Sequence, residues 1–288
     1  MNHGTCETKR RSIETPSGKI SYVERGQGPV ALFVHGVLVN GYLWRHLLAG
    51  LADHRRCIAL DLLAHGSSEI EPTQDVSFDA QAVMLAQFLD ALAINQVDLV
   101  GNDSGVGVSL IFAANHPERV RSLVLTNGDV HDNWPPKGFS SFLAMVKQGG
   151  LPDTLRKMLS DKSYFRSKEA LGPAYERPQE VTNETIETYL NPLVSTPQRT
   201  RDLERFILAF DNRQTVRVES KLRDFKSPTL IVWGTGDVFF NVKWSHWLAE
   251  TIPGTTKRIE LNGARMFLPE ERSQQLNDEL RTHWKSAS

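Results

Sequence analysis

Val97-Asp98-Leu99-Val100-Gly101-Asn102-Asp103-Ser104-Gly105-Val106-Gly107-Val108 is the stretch whose reading decides the fold. An apolar, β-branched run ends in a glycine, three small polar residues and a second glycine, then opens into a segment of helical period that continues to about His116. The spacing predicts a strand, a sharp turn and a helix. Glycines two places before and two places after Asp103 leave room for the turn to close without a clash, which puts Asp103, and not Ser104, at its apex. Taken alone, the same residues also suit a tight strand-to-helix turn in any α/β protein, so the flanking chain has to decide.

At 288 residues the chain is long enough for one large α/β domain with an insertion, or for two small domains. Lys plus Arg number 33 against 34 Asp plus Glu, so no basic excess points to nucleic acid or to an anionic membrane surface. The expected partner is a small, weakly charged molecule; self-association into a homodimer stays open. Cys6 in a polar tail and Cys57 in a predicted strand make neither a disulfide framework nor a metal-spaced pair, which fits a reducing cytoplasm. The polar start, with Lys9-Arg10-Arg11 and no apolar run behind it, and the lack of any later run of membrane-spanning length lead to the expectation of a soluble, unexported protein. No metal or cofactor is expected.

Residues 12–15 and 19–24 alternate as two antiparallel edge strands about Pro16-Ser17-Gly18. Residues 29–34 form a continuous apolar run, as a strand covered on both faces requires, and stop at His35-Gly36-Val37. A helix is predicted over 41–52, a strand over 56–60, a helix over 78–92 and a strand over 120–126, the last running into Asn127-Gly128-Asp129-Val130-His131-Asp132. From Asn133 to about Asp224 only helical-period segments follow, among them 138–147 and 203–211, broken by glycine and proline. Strand-and-helix alternation then resumes, with a strand ending at Gly234-Thr235-Gly236-Asp237, a helix over 242–251, a strand over 257–261 and a final helix over 269–285. Phe139, Phe142, Met145, Met158, Phe165, Phe206 and Phe210 are candidates to roof a cavity, although a small helical module needs such residues for its own packing.

With those elements in place, Gly101 to Gly105 resembles the nucleophile elbow of the α/β-hydrolase superfamily, and aspartate at the apex resembles its haloalkane dehalogenase and epoxide hydrolase branch. His35-Gly36 resembles that family's oxyanion loop. Asp61-Leu62-Leu63-Ala64-His65-Gly66-Ser67-Ser68 resembles its Asp-x-x-Gly-x-Gly-x-Ser loop, in which His65 is structural. Asp237 stands at the family's acid position. The resemblance runs from about residue 13 to 284, with the insertion matched by position and composition only. It implies an α/β-hydrolase fold: a mostly parallel eight-stranded sheet with helices on both faces and an inserted helical cap. Residues 1–130 and 225–288 would form the core, and 131–224 the cap.

The resemblance also implies chemistry. Asp103 would attack carbon and form an ester, the backbone N–H groups of Val37 and Ser104 would make the oxyanion hole, and Asp237 would be the acid. One position departs from the pattern: in Gly263-Ala264-Arg265-Met266-Phe267 methionine stands where the family carries its catalytic histidine, and a thioether cannot take a proton from water. Of nine histidines, His131 is the one left as a substitute base, its plainer reading being a solvated hinge residue between Asp129 and Asp132. His35 is expected to brace its loop. Asn40 and Trp44 either point into the pocket or cap and pack their helix, and Met266 would line the pocket. Tyr189, ahead of Tyr164 and Tyr175, is the preferred phenol donor to an epoxide oxygen. The expected function is thus an Asp-nucleophile enzyme acting on a neutral, apolar molecule with an electrophilic carbon, such as an alkyl halide or epoxide, with ester breakdown impaired or altered. Two alternatives stand beside it: a cofactor-free lyase, cyclase or oxygenase using Asp103 as general base, and a binding protein without turnover.

Overall fold

A computed structural model of the chain describes residues 10–286; His3, Cys6 and Lys9 of the polar tail lie outside the described residues. Eight strands form one sheet: β1 (Arg10–Thr15), β2 (Gly18–Arg25), β3 (Val30–Val34), β4 (Arg56–Leu60), β5 (Val97–Asp103), β6 (Val120–Gly128), β7 (Thr229–Gly234) and β8 (Thr255–Leu261). Their spatial order is β1-β2-β4-β3-β5-β6-β7-β8. The β1–β2 and β2–β4 pairs are antiparallel and the rest are parallel. This is the eight-stranded, mostly parallel sheet expected from the sequence. Every residue of β3, β5 and β7 is buried, because helices cover both faces, whereas β1 and β8 at the two edges are mixed.

The helices are α1 (Arg45–Leu51), α2 (Phe78–Ala91), α3 (Ser104–Asn115), α4 (Ser140–Lys147), α5 (Leu151–Ser160), α6 (Lys162–Phe165), α7 (Asn183–Val194), α8 (Pro197–Leu208), α9 (Arg213–Val216), α10 (Glu219–Leu222), α11 (Lys243–Thr251), α12 (Leu268–Glu271) and α13 (Ser273–Ser286). Helices α4 to α10 all fall between β6 and β7, where no described residue belongs to a strand. This inserted layer is stitched to the core by arginine: Arg199 of α8 donates to the carbonyls of Gly66 and Ser68, and Arg205 to those of Pro72 and Gln74. Trp134 stacks on Phe78 of α2 with ring centroids 4.1 Å apart, and Phe206 packs edge-on to His65 at 4.7 Å. Phe165 and Phe206 therefore serve packing rather than a cavity roof.

Two predicted helices are divided. The 41–52 segment opens as a 3-10 turn, Gly41–Trp44, started by the Asn40 side chain accepting from Tyr42 N–H, before passing into α1. The final helix breaks at Arg272 because the residues on either side of the break are claimed by the insertion. Glu271 accepts from the N–H groups of Glu176 and Arg177, and the Arg272 guanidinium grips the Glu176 carboxylate at 2.7 and 2.9 Å. Among the described residues no helix is long and apolar enough to cross a membrane.

Candidate active site

The site grows from the turn between β5 and α3. Asp103 has φ 55° and ψ −128°, a left-handed conformation that typically costs a non-glycine residue about 1–3 kcal/mol and persists only where its surroundings enforce it. They do so here by close approach. A Cβ on Gly105 would lie 2.1 Å from the carbonyl oxygen of Val34, and one on Gly101 would lie 2.7 Å from the carbonyl oxygen of Gly105. The glycines let helix α3 abut the end of β3, and the apex side chain is turned out of the sheet.

What it meets is the loop after β3. Val37 N–H donates to Asp103 Oδ2 at 2.9 Å, and the Ser104 N–H acts on the same carboxyl. The loop is held by His35, fully buried, whose Nδ1 bonds the Gly36 carbonyl at 2.7 Å while Nε2 accepts from Leu62 N–H at 3.0 Å. Burial pushes the His35 pKa down to about 4, so the ring is neutral, with Nδ1 the donor and Nε2 the acceptor. It braces the loop. The turns after the next strands are laced together behind the apex: Asn102 Nδ2 donates to Thr126 Oγ1 and to the Met266 carbonyl, both at 2.8 Å. Asn127 exchanges a pair of hydrogen bonds with the backbone of Gly234.

Asp237 follows β7. Its Oδ1 accepts from the N–H groups of Phe239 and Phe240 at 2.7 and 3.1 Å, and its Oδ2 is buried without a partner. Burial raises its pKa to about 6 against the pull of those two donors and of the nearby Asn127 side chain. Met266 is buried and lines the pocket beside Asp103. Asp129, just past β6, lines it too, a place that no motif in the sequence marks. The available signal was Asp129's place at the C-terminal end of the strand next to the apex strand. Burial pushes Asp129 up to about 7, with the nearby Ser104 hydroxyl pulling it down in a geometry short of a hydrogen bond. Asp103 is raised well above the ordinary carboxylate value by burial and by the Asp129 charge, against the Val37 N–H.

Two joined spaces lie above the apex. An inner pocket of about 30 Å³ is bounded by Val37, Leu38, Asp103, Ser104, Asp129, Phe240 and Met266, with Phe139, Leu171, Phe210 and Phe239 closing it. Leu38, Phe139, Leu171 and Phe239 also border an outer chamber of about 520 Å³, walled by Phe142, Met145, Met158 and Tyr164 and rimmed by Lys168 and Glu169. The structure thus brings together Asp103, Ser104, Val37 and Met266, with Asp237 behind them, and leaves four other expected residues outside. His131 is held away: Nε2 lies 3.0 Å from Glu219, Nδ1 lies 3.3 Å from Asp132, and the ring packs on Trp247 at 4.8 Å. Tyr189 donates to Glu270 Oε2 at 2.8 Å, Asn40 Nδ2 donates to the Thr188 carbonyl at 2.8 Å, and Trp44 packs on Phe33.

Residues 29–271 match the family described as the alpha/beta hydrolase fold. The chain belongs to that family. This α/β-hydrolase is 26% identical over 270 residues to haloalkane dehalogenase 2 of Mycobacterium tuberculosis, a match spanning 91% of this chain and 90% of that protein. It is 40% identical over 116 residues to a haloalkane dehalogenase of Mesorhizobium japonicum, a match spanning 40% of this chain and 37% of that one. Its fold is similar to that of the epoxide hydrolase CorEH, with a TM-score of 0.79 at 20% identity over 98% of this chain and all of the other.

Proposed function

We propose that this α/β-hydrolase captures the electrophilic carbon of a neutral, largely apolar small molecule, such as an alkyl halide or an epoxide, as an ester on Asp103. One observation carries the reading: the apex carboxylate, positioned by Val37 N–H at 2.9 Å, opens into a pocket whose walls are otherwise almost wholly apolar. Such a wall favours an uncharged substrate, since a charged one would have to shed its hydration without finding a partner. The narrow inner space suits a reacting group of two or three heavy atoms, and the outer chamber suits a longer apolar tail. Relatives named as haloalkane dehalogenases support the same class.

Ester breakdown is the weak step. Met266 supplies no base, and Asp237 Oδ2 faces no imidazole that it could orient. Loss of a positioned general base typically costs about 10² to 10⁴ in rate. Incubation with octyl bromide or octene oxide, followed by intact mass and peptide mapping, is expected to show a long-lived adduct on the peptide bearing Asp103, absent in Asp103→Asn. No adduct and no product from either probe would defeat the proposal. Rapid multiple turnover by the wild type would defeat the slow-breakdown part of it. A second reading is favoured by the raised Asp103 carboxyl, which is a better proton acceptor than an ordinary carboxylate: general-base catalysis without an ester. Product without any adduct, lost in Asp103→Asn, would select it.

A further inference from the structure

We propose that Asp129 is the acid of this site, protonating the oxygen that leaves as Asp103 attacks carbon, which suits the site to epoxides, whose leaving oxygen needs a proton. The inference rests on Asp103 as nucleophile and adds the proton source and the leaving atom. Among the described residues bordering the inner pocket, only Asp103, Ser104 and Asp129 carry polar side chains. No tyrosine borders it. The Tyr189 hydroxyl is committed to Glu270, Tyr175 packs on Phe267 at 4.9 Å, and Tyr164 lies in the outer chamber beneath Lys157.

A departing halide carries its charge away and needs no proton. The opened oxygen of an epoxide stays on the substrate and is far too basic to be released unprotonated, so it needs an acid. Asp129 is tied to the apex, its N–H donating to the Asp103 carbonyl at 3.2 Å, and its side chain is 2% exposed with no cation among the pocket residues. Two carboxyls in one apolar cavity share a single charge near neutral pH, as like charges in a low dielectric must. The tautomer that reacts has the charge on Asp103, where the Val37 and Ser104 N–H groups favour it, and the proton on Asp129.

The step balances. A carboxylate oxygen of Asp103 forms a bond to a ring carbon as that carbon's bond to the ring oxygen breaks. The electron pair passes to the ring oxygen, which takes the Asp129 proton, leaving a hydroxyalkyl ester on Asp103 and a carboxylate on Asp129. Water later cleaves the ester to a diol and the Asp103 carboxylic acid, whose proton returns to Asp129.

Octyl bromide and octene oxide share a tail and differ in whether the leaving atom needs a proton. Adduct formation on Asp103 is followed by intact mass for wild type, Asp129→Asn and Asp129→Glu, in H2O and D2O. Asp129→Asn is expected to lower the epoxide-to-bromide rate ratio by about 10² to 10⁴, with partial recovery in Asp129→Glu. The wild-type epoxide reaction is expected to slow in D2O while the bromide reaction does not. An unchanged ratio in Asp129→Asn, or no isotope effect on the epoxide reaction, overturns the proposal and leaves the Asp103 ester standing. No ester from either probe overturns both. Should Asp129→Asn fail to fold, the wild-type isotope effect decides.

Discussion

Asp237 has one oxygen with two donors and one with none. A buried acceptor left unmatched typically costs about 1–3 kcal/mol, a cost carried here without a visible structural return. Met266→His is therefore expected to restore the missing base, with one ring nitrogen donating to Asp237 and the other activating water. The lifetime of the Asp103 adduct should fall by about 10² to 10⁴, read as the decay of the adduct mass. An unchanged lifetime would show that ester breakdown is limited elsewhere. Tyr189 gives a contrasting case: Tyr189→Phe strands a Glu270 oxygen, so the expected result is a lower melting temperature with adduct formation intact.

Asp129 and Asp237, raised to about 7 and about 6 from an ordinary value of 3.8, hold protons in the folded chain that the unfolded chain has released. Stability contributed by these groups is lost as pH rises from about 4 to about 7. His35, lowered from 6.5 to about 4, acts oppositely, and its contribution is lost as pH falls through that window. Asp129→Asn removes one raised carboxyl, and is expected to melt above wild type at pH 8, with the gap closing near pH 4. A variant less stable than wild type at pH 8 would refute the raised pKa of Asp129.

At the scale of elements, the β5–α3 turn is where stability yields to position. Gly105→Ala would drive a Cβ to 2.1 Å from the Val34 carbonyl, backbone against backbone, so neither partner can swing away. Its expected cost exceeds the roughly 1 kcal/mol that a glycine-to-alanine change gains or loses elsewhere in a helix, and a chemical melt would register it. Asp103→Gly is expected to raise the melting temperature while abolishing the adduct, because it relieves both the left-handed backbone and the repulsion from Asp129. This turn was legible in the sequence because its determinants are local: apolar period, two glycines and what lies between. So were His35 as a brace and the strand-free stretch before β7. Asp129 was not, because its role comes from the adjacency of β5 and β6 and from burial. His131, two residues on, has the chemistry but points to Glu219 and Trp247. The break at Arg272 was equally hidden, being set by Glu176 across the molecule.

At the scale of the whole molecule the pocket belongs to neither layer alone. The end of β5 and the turns after β6 and β8 supply Asp103, Asp129 and Met266, while the insertion supplies Phe139, Leu171 and Phe210. Phe139, with Leu38, Leu171 and Phe239, borders both spaces, its ring 4.6 Å from Phe142 and 6.1 Å from Phe210. A long substrate bound as proposed would pass its small reacting end between these apolar side chains and leave its bulk in the outer chamber. Substitution on the distal carbon of the electrophile would have to pass Phe139, so octene oxide is expected to react faster than the isomer whose ring sits in mid-chain. Discrimination of this kind by a hydrophobic wall runs at about 10- to 200-fold per added carbon. Phe139→Ala opens this border without touching the carboxyls, and the expected result is a loss of about tenfold or more in that preference, with the terminal epoxide still alkylating Asp103. The comparison is of adduct rates for the two isomers on the two proteins. If Phe139→Ala leaves the ratio unchanged, the substrate enters by another path, and the outer chamber has no part in choosing it.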